Sequence, residues 1–290
     1  MILPNFILPS RVNQSWEYSG MDSFEDCLDK NHFKQYSQSI NYNYNSRGYR
    51  DQEWPESIDQ LKNAIWCIGD SFTVGLGSPQ EHTWPYLLQQ QLNQRTINVS
   101  MDGASNDWIQ RKALKLLKEI QPQTIVIHWS YVTRHEINND LLDDEQRRAE
   151  HDPQTLRVHG FDFFKQKLKQ LIIQLEEVKN QTQIIHSFIP AFDLEYDCKI
   201  DRVWPIIKGA DWPVAPTTVQ ELENLPNFVK QELKNDFKYY NKFKEQFEYY
   251  HDINCCVPEF VPQDLARDGH HYDIKTASAF AQQITKVIHR

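Results

Sequence analysis

Two short segments far apart in the chain carry side chains that can do chemistry together. Ile68-Gly69-Asp70-Ser71-Phe72-Thr73-Val74-Gly75-Leu76-Gly77 sets a serine between an apolar run and a glycine-bearing turn, and Asp268-Gly269-His270-His271-Tyr272 sets a carboxylate three residues ahead of an imidazole. A serine hydroxyl is a weak nucleophile until a base removes its proton, so Ser71 requires an imidazole, itself oriented by a carboxylate. Asp268 and His271 supply both parts on one turn, and the carboxylate can stabilise the imidazolium that forms. Ser71 is then the nucleophile, His271 the base and Asp268 its support. Each segment also has a plainer reading. The first is an ordinary strand-to-helix turn in which Asp70 or Ser71 caps a helix. The second is an exposed loop, or a metal pair drawn from His270, His271 and Asp273, although no third cluster with ligand spacing stands elsewhere in the chain.

The elements that must position these residues alternate between short apolar strands and amphipathic helices, the pattern of a parallel sheet covered on both faces. Strands are expected over 64–69, 96–100, 124–129, 183–189 and 253–257. Helices are expected over 83–93, capped by Thr83 with Pro85 in the first turn, and over 107–120, 161–179 and 274–288. The fold class is therefore α/β, a flavodoxin-like three-layer sandwich with a five-stranded parallel sheet. Ser71 leaves the carboxyl end of the first strand, where open sheets of this kind bind ligands. Residues 61–290 form this domain, with an insertion at about 190–250 that contains Trp204, Trp212, Tyr239, Tyr240, Tyr249 and Tyr250. A connection of that length often serves as a lid or binding surface. Residues 1–60, rich in Asn, Tyr and Ser, read as an N-terminal extension packed on the domain.

Together these segments resemble the SGNH/GDSL hydrolase family. Its members carry Gly-Asp-Ser after the first strand, a glycine after the second, an asparagine after the third, and D-x-x-H before the last helix. Asn98-Val99-Ser100-Met101-Asp102-Gly103-Ala104-Ser105-Asn106 is similar to the second block, Asn45-Ser46-Arg47-Gly48-Tyr49-Arg50-Asp51-Gln52-Glu53 to an upstream N-S-x-G-x-R-D-x-E segment, and Thr83-Trp84-Pro85-Tyr86-Leu87-Leu88 to a T-W-P-x-L-L helix. The resemblance covers 45–290 in the family's order. It implies that the N–H groups of Ser71 and Gly103 form an oxyanion hole. The third block departs: in place of G-x-N-D the chain reads His128-Trp129-Ser130-Tyr131-Val132-Thr133-Arg134. Either Asn106 or Ser130 replaces the missing donor, or the hole has two backbone donors, or activity is lost. Losing one donor typically costs about 10²–10³ in turnover. Tyr131 and Arg134 are candidate substrate contacts, set against packing for Tyr131 and an Arg134–Glu136 pair for the arginine. Arg47 and Arg50 raise the same question of an anionic substrate group, and His128 reads as a core histidine.

Composition narrows the partners. The 290 residues are 40% hydrophobic and 24% charged with a net charge of −9, and the pI is about 5.7 with mean hydropathy −0.68. Nucleic acid is not an expected partner, because phosphate binding needs a concentrated basic surface. No apolar run approaches the roughly 18 residues of a spanning helix, and the Met1–Pro9 start lacks a basic region, so neither membrane segment nor signal peptide is expected and the chain reads as cytoplasmic or otherwise soluble. The five cysteines show no C-x-x-C or zinc spacing and read as reduced thiols. No cofactor or metal is required. The resemblance implies a serine esterase or deacetylase acting on a small-molecule or glycan ester such as an O-acetylated carbohydrate. Acyl transfer to another alcohol and a catalytically weak SGNH-fold binding protein are the alternatives, and the oligomeric state is left open.

Overall fold

The computed structural model describes residues 6–17, 36, 39–131, 134–136, 153–189, 264–268 and 271–288. Before the main sheet, β1 (Ser15–Trp16) pairs antiparallel with β2 (Tyr42–Asn43), and a short helix α1 (Ile58–Asn63) leads into β3 (Ile65–Ile68). A one-turn helix α2 (Ser71–Val74), helix α3 (Trp84–Leu92) and β4 (Thr96–Asn98) follow. The chain continues through α4 (Asn106–Glu119), β5 (Thr124–Trp129), α5 (Pro153–Val178), β6 (Gln183–Phe188) and α6 (Ile274–Ile288).

Strands β3 to β6 form one parallel sheet in the order β4-β3-β5-β6. In register, Ile65 stands beside Thr124 and Ile68 beside Ile127, while Thr124 stands beside Gln183. The chain thus steps from β3 outward to β4 and then back across to β5. That reversal opens a crevice at the carboxyl ends of β3 and β5, the place where doubly wound sheets bind ligands. The expected strand 253–257 and the insertion at about 190–250 lie outside the described residues.

Strand composition explains the layers. β3 and β5 are buried at every position, as expected of a parallel strand covered on both faces. Alternate residues feed two cores: Trp66, Ile68, Ile125, Ile127 and Trp129 face α4 and α5, whereas Ile65, Cys67 and Val126 face α3 and α6. Helix α4 is capped by Ser105, whose Oγ accepts from Trp108 N at 2.9 Å. At α3 the expected cap is not made: Thr83 occupies the N-cap position, but its hydroxyl donates to the Gln80 carbonyl at 2.8 Å. Helix α5 begins at Pro153 rather than at 161. Proline suits a first turn, where its missing N–H costs nothing, and the single Gly160 costs only about 1 kcal/mol.

The segment before β3 contributes to the core itself. Phe6, Leu8, Tyr49 and Trp54 join the cluster on the α4 face, with Phe6 6.1 Å and Trp54 5.2 Å from the Trp66 ring. Gly48 makes this approach possible. Its φ is +81°, and a Cβ there would sit 2.2 Å from the Leu8 carbonyl oxygen. Truncating a fully buried phenylalanine removes transfer energy and leaves a cavity, so Phe6→Ala is expected to cost about 3–5 kcal/mol in urea unfolding. A loss under about 1 kcal/mol would mean that the collapsing site refills or that this segment adds little to the core.

Candidate active site

The site begins where β3 ends. Asp70 is wholly buried, and its Oδ1 accepts from Phe72 N at 3.0 Å, capping the single turn of α2. Gly75, with φ +77°, closes that turn. Ser71 is the first residue of the turn and its Oγ lies 2.8 Å from His271 Nε2. On the far side of the ring, His271 Nδ1 lies 2.5 Å from Asp268 Oδ2, and Asp268 Oδ1 accepts from His271 N at 3.0 Å. With the Nδ1 proton on the carboxylate side, the Nε2 lone pair faces the serine hydroxyl. All three residues are buried, and the His271 ring lies 4.5 Å from that of Phe72. The structure therefore brings Ser71, His271 and Asp268 into one hydrogen-bonded line across 200 residues of chain. The capping role expected of Asp70 and a reactive arrangement at Ser71 coexist in the same turn.

Burial opposes charge on His271, but Asp268, then Asp70 and Asp102, outweigh it and raise the imidazole pKa above its ordinary value. The line is held from below by the glycine-bearing turn. Gly77 accepts from Arg267 N at 2.8 Å and donates to the Tyr42 hydroxyl at 2.7 Å. A Cβ at Gly77 would lie 2.8 Å from Ala266 Cβ and 3.1 Å from Asp268 Oδ1, and its φ of +73° is itself strained for other residues. Arg50 staples the same turn, donating to the carbonyls of Val74 and Gly75 and, at 2.7 Å, Ser78. This overturns the idea that Arg50 meets an anionic substrate group. Arg47 lies over the Trp54 ring, 4.7 Å from its centroid. A second node lies behind His271: Asp273 accepts from Ser78 Oγ at 3.2 Å and pairs with His82 Nδ1 at 2.8 Å. His270, the other member of the metal alternative, lies outside the described residues.

The second block supplies a left-handed Gly103, φ +69°. The N–H groups of Ser71 and Gly103 donate to no other described residue. Asn106 is fully buried at the start of α4. One Nδ2 proton goes to the Tyr131 carbonyl at 2.9 Å, and its N–H donates to Arg134 O at 2.9 Å. Both bonds tie down the chain after β5.

The divergent third block folds back on Asp70. Ser130 Oγ donates to Asp70 Oδ2 at 2.5 Å, so its proton is not available to an oxyanion. Arg134 Nη1 donates to the same oxygen at 3.1 Å. The expected Arg134–Glu136 pair is not formed: Glu136 takes a two-point contact from Arg111 at 2.7 and 2.8 Å. Tyr131 is buried, packed against the Phe72 ring at 6.1 Å and beneath the Arg134 guanidinium at 5.0 Å. Arg134 is partly buried, with 12% of its side chain exposed. His128 is a core histidine, bonded to Ser187 Oγ at 2.9 Å, and burial alone pushes its pKa down to about 3. The roles of Gly77, Ser130 and the Asp273–His82 node were not read from the sequence. The glycine pair at 75 and 77 signalled the first, while Ser130 and Asp273 stood out only for other roles, as an oxyanion donor and a metal ligand.

The Gly77 geometry gives a test. Gly77→Ala is expected to displace Asp268 and reduce turnover on the order of 100-fold, the typical effect of a misplacement near 1 Å. Turnover within about threefold of the parent would show that the Asp268 loop does not rest on Gly77.

No family model and no curated protein matches the chain. Solved structures similar to it include GDSL lipolytic proteins and carbohydrate esterases. They include the psychrotrophic esterase EstA from a Pseudoalteromonas species, at 15% identity and TM-score 0.39 over 78% of this chain and 97% of that one. A GDSL-like lipase from Bacteroides thetaiotaomicron is 12% identical with TM-score 0.38 over 79% and 89%. A family 2 carbohydrate esterase with a carbohydrate-binding domain from Corynascus thermopiles is 13% identical with TM-score 0.41 over 82% and 67%.

Proposed function

We propose that this chain is a serine hydrolase that cleaves carboxylic esters through an acyl-enzyme on Ser71. The observation that carries the reading is the Ser71 Oγ to His271 Nε2 contact of 2.8 Å, backed by Asp268. A hydroxyl, a basic nitrogen and a buried carboxylate in that order are the parts that make a serine nucleophilic.

Ser71 Oγ attacks the ester carbonyl while its proton passes to Nε2 of His271. Asp268 holds the ring and stabilises the imidazolium without itself taking the proton. The negative charge that develops on the carbonyl oxygen meets the N–H groups of Ser71 and Gly103. Collapse of the tetrahedral adduct expels the alcohol with a proton from His271. Water, activated by the same nitrogen, then releases the acid and restores Ser71.

Ser71→Ala is expected to remove labelling by a fluorophosphonate probe and hydrolysis of aryl acetates while melting near the parent temperature. An unlabelled parent chain with no turnover on an ester panel sinks the reading. That panel begins with O-acetylated carbohydrates, the substrate class we put forward, beside short and long acyl esters.

The pH profile carries a second expectation. A raised His271 pKa keeps the imidazole protonated, and therefore useless as a base, to higher pH. The acid limb of kcat/KM should thus inflect above the ordinary imidazole value of about 6.5. Asp268→Asn should move it downward. An inflection at or below that ordinary value in the parent would contradict the charge balance described for the site. The same pairing stabilises the fold at low pH and ceases to do so as pH rises through the folded pKa.

A further inference from the structure

Asp70 is a carboxylate at the site that the ester chemistry does not use. It is fully buried and lies next to the nucleophile. Three donors converge on it from two parts of the chain: Phe72 N at 3.0 Å on Oδ1 from its own turn, and Ser130 Oγ at 2.5 Å with Arg134 Nη1 at 3.1 Å on Oδ2 from the segment after β5. The Arg134 side chain is itself only 12% exposed. A buried carboxylate with one cation and two further donors is a charge held in place, and removing one partner of such a pair leaves the other stranded. The carboxylate and the nucleophile share one backbone turn, so whatever fixes Asp70 also fixes the direction of Ser71 Oγ and of the Ser71 N–H.

We propose that Arg134, assisted by Ser130, is a positioning residue for the nucleophile. Its guanidinium clamps the Asp70 carboxylate and so holds the Ser71 turn in its reactive geometry. This rests on the hydrolase reading and extends it to the segment after β5. Arg134 acts through Asp70, and its task differs from that of a substrate anchor, which would raise KM.

Burial raises the Asp70 carboxyl pKa above its ordinary value and outweighs Arg134, then the Ser130 and Phe72 bonds and the charge of His271, which pull it down. Arg134 and His271 are the charged groups that face it. Arg134→Gln takes away the largest of these opposing influences, so the Asp70 pKa rises in the variant. A carboxyl raised in the folded state destabilises once pH exceeds its unfolded value, and increasingly so up to the folded one. The variant's melting deficit against the parent should therefore be larger at pH 8 than at pH 5.

The experiment compares the parent with Arg134→Gln, Arg134→Lys, Asp70→Asn and the Asp70→Asn/Arg134→Gln double variant, on an aryl acetate and by melting at both pH values. For Arg134→Gln, kcat is expected to fall on the order of 100-fold with KM within about threefold. Arg134→Lys should recover part of that loss, because it restores the cation without the planar fork. The double variant should outperform Arg134→Gln alone, since no stranded carboxylate remains, and its melting deficit should lose the pH dependence. Parent-like kcat in Arg134→Gln overturns the proposal. So does a change confined to KM, or a deficit equal at both pH values that Asp70→Asn does not relieve. A parent chain without turnover sinks the hydrolase reading instead. In that case the melting series alone decides whether Arg134 clamps Asp70, and a pH-independent deficit overturns the clamp.

Discussion

Asp70 has no access to solvent and stands one residue before Ser71, and a carboxylate taken out of water must find donors inside the protein. The local turn offers one, the Phe72 N–H. The other two come from the end of β5, and reaching them fixes how the sheet edge is built. β5 must end beside β3 so that Ser130 follows it at hydrogen-bond distance, and the chain must turn back within a few residues so that Arg134 arrives. Asn106 secures that return by bonding the Tyr131 carbonyl and the Arg134 carbonyl from the start of α4. One buried charge thus connects β3, β5 and α4 at the crevice the sheet order creates.

The opposite side of the same turn is governed by close approach rather than by charge. Gly75 and Gly77 take left-handed φ values, and the second lies so near Ala266 and Asp268 that no Cβ fits. The Asp268–His271 segment can pack directly on that turn, which sets the distance from carboxylate to imidazole to hydroxyl. Arg50 and Tyr42, from the segment before β3, saturate the turn's carbonyls and the Gly77 N–H. This explains why residues ahead of the sheet belong to its architecture. They are the scaffold of the loop that carries the base, as well as part of the core around Trp66.

Much of this was legible in the sequence, and the reasons differ by residue. Apolar runs such as Thr124–Trp129 announce strands because burial on both faces demands them, and Ser71, Asp268 and His271 stand out because few other residue types can do their work. The partners of Arg134 were not legible. Glu136 two residues on is the obvious candidate by proximity in sequence, yet Asp70 lies 64 residues away and wins because it is more deeply buried and has more to gain from a cation. The bonds of Asn106 were hidden for a related reason. An amide near a glycine block looks like an oxyanion donor, and only the fold shows the carbonyl after β5 that it bonds. Spacing along the chain reports local geometry well and long-range competition for donors poorly.

The missing asparagine after β5 can now be weighed against what replaced it. In the proposed ester cleavage, the oxyanion at Ser71 would form among three carboxylates that act on His271: Asp268, Asp70 and Asp102. The imidazolium produced in the same step answers Asp268. Asp102 is only half-buried, so water screens it. Asp70 is fully buried, so water does not screen it, and although His271 also faces it, a unit charge left bare near a developing anion costs on the order of 3 kcal/mol at an effective dielectric constant near 20. That is comparable to the roughly 3–4 kcal/mol lost with one oxyanion donor. A site with two backbone donors and a neutralised Asp70 is therefore no worse placed, in energy, than one with a third donor and a bare carboxylate beside it. On the proposed mechanism, Ser130 and Arg134, both bonded to Asp70 Oδ2, act on the charge that opposes the oxyanion instead of on the oxyanion itself.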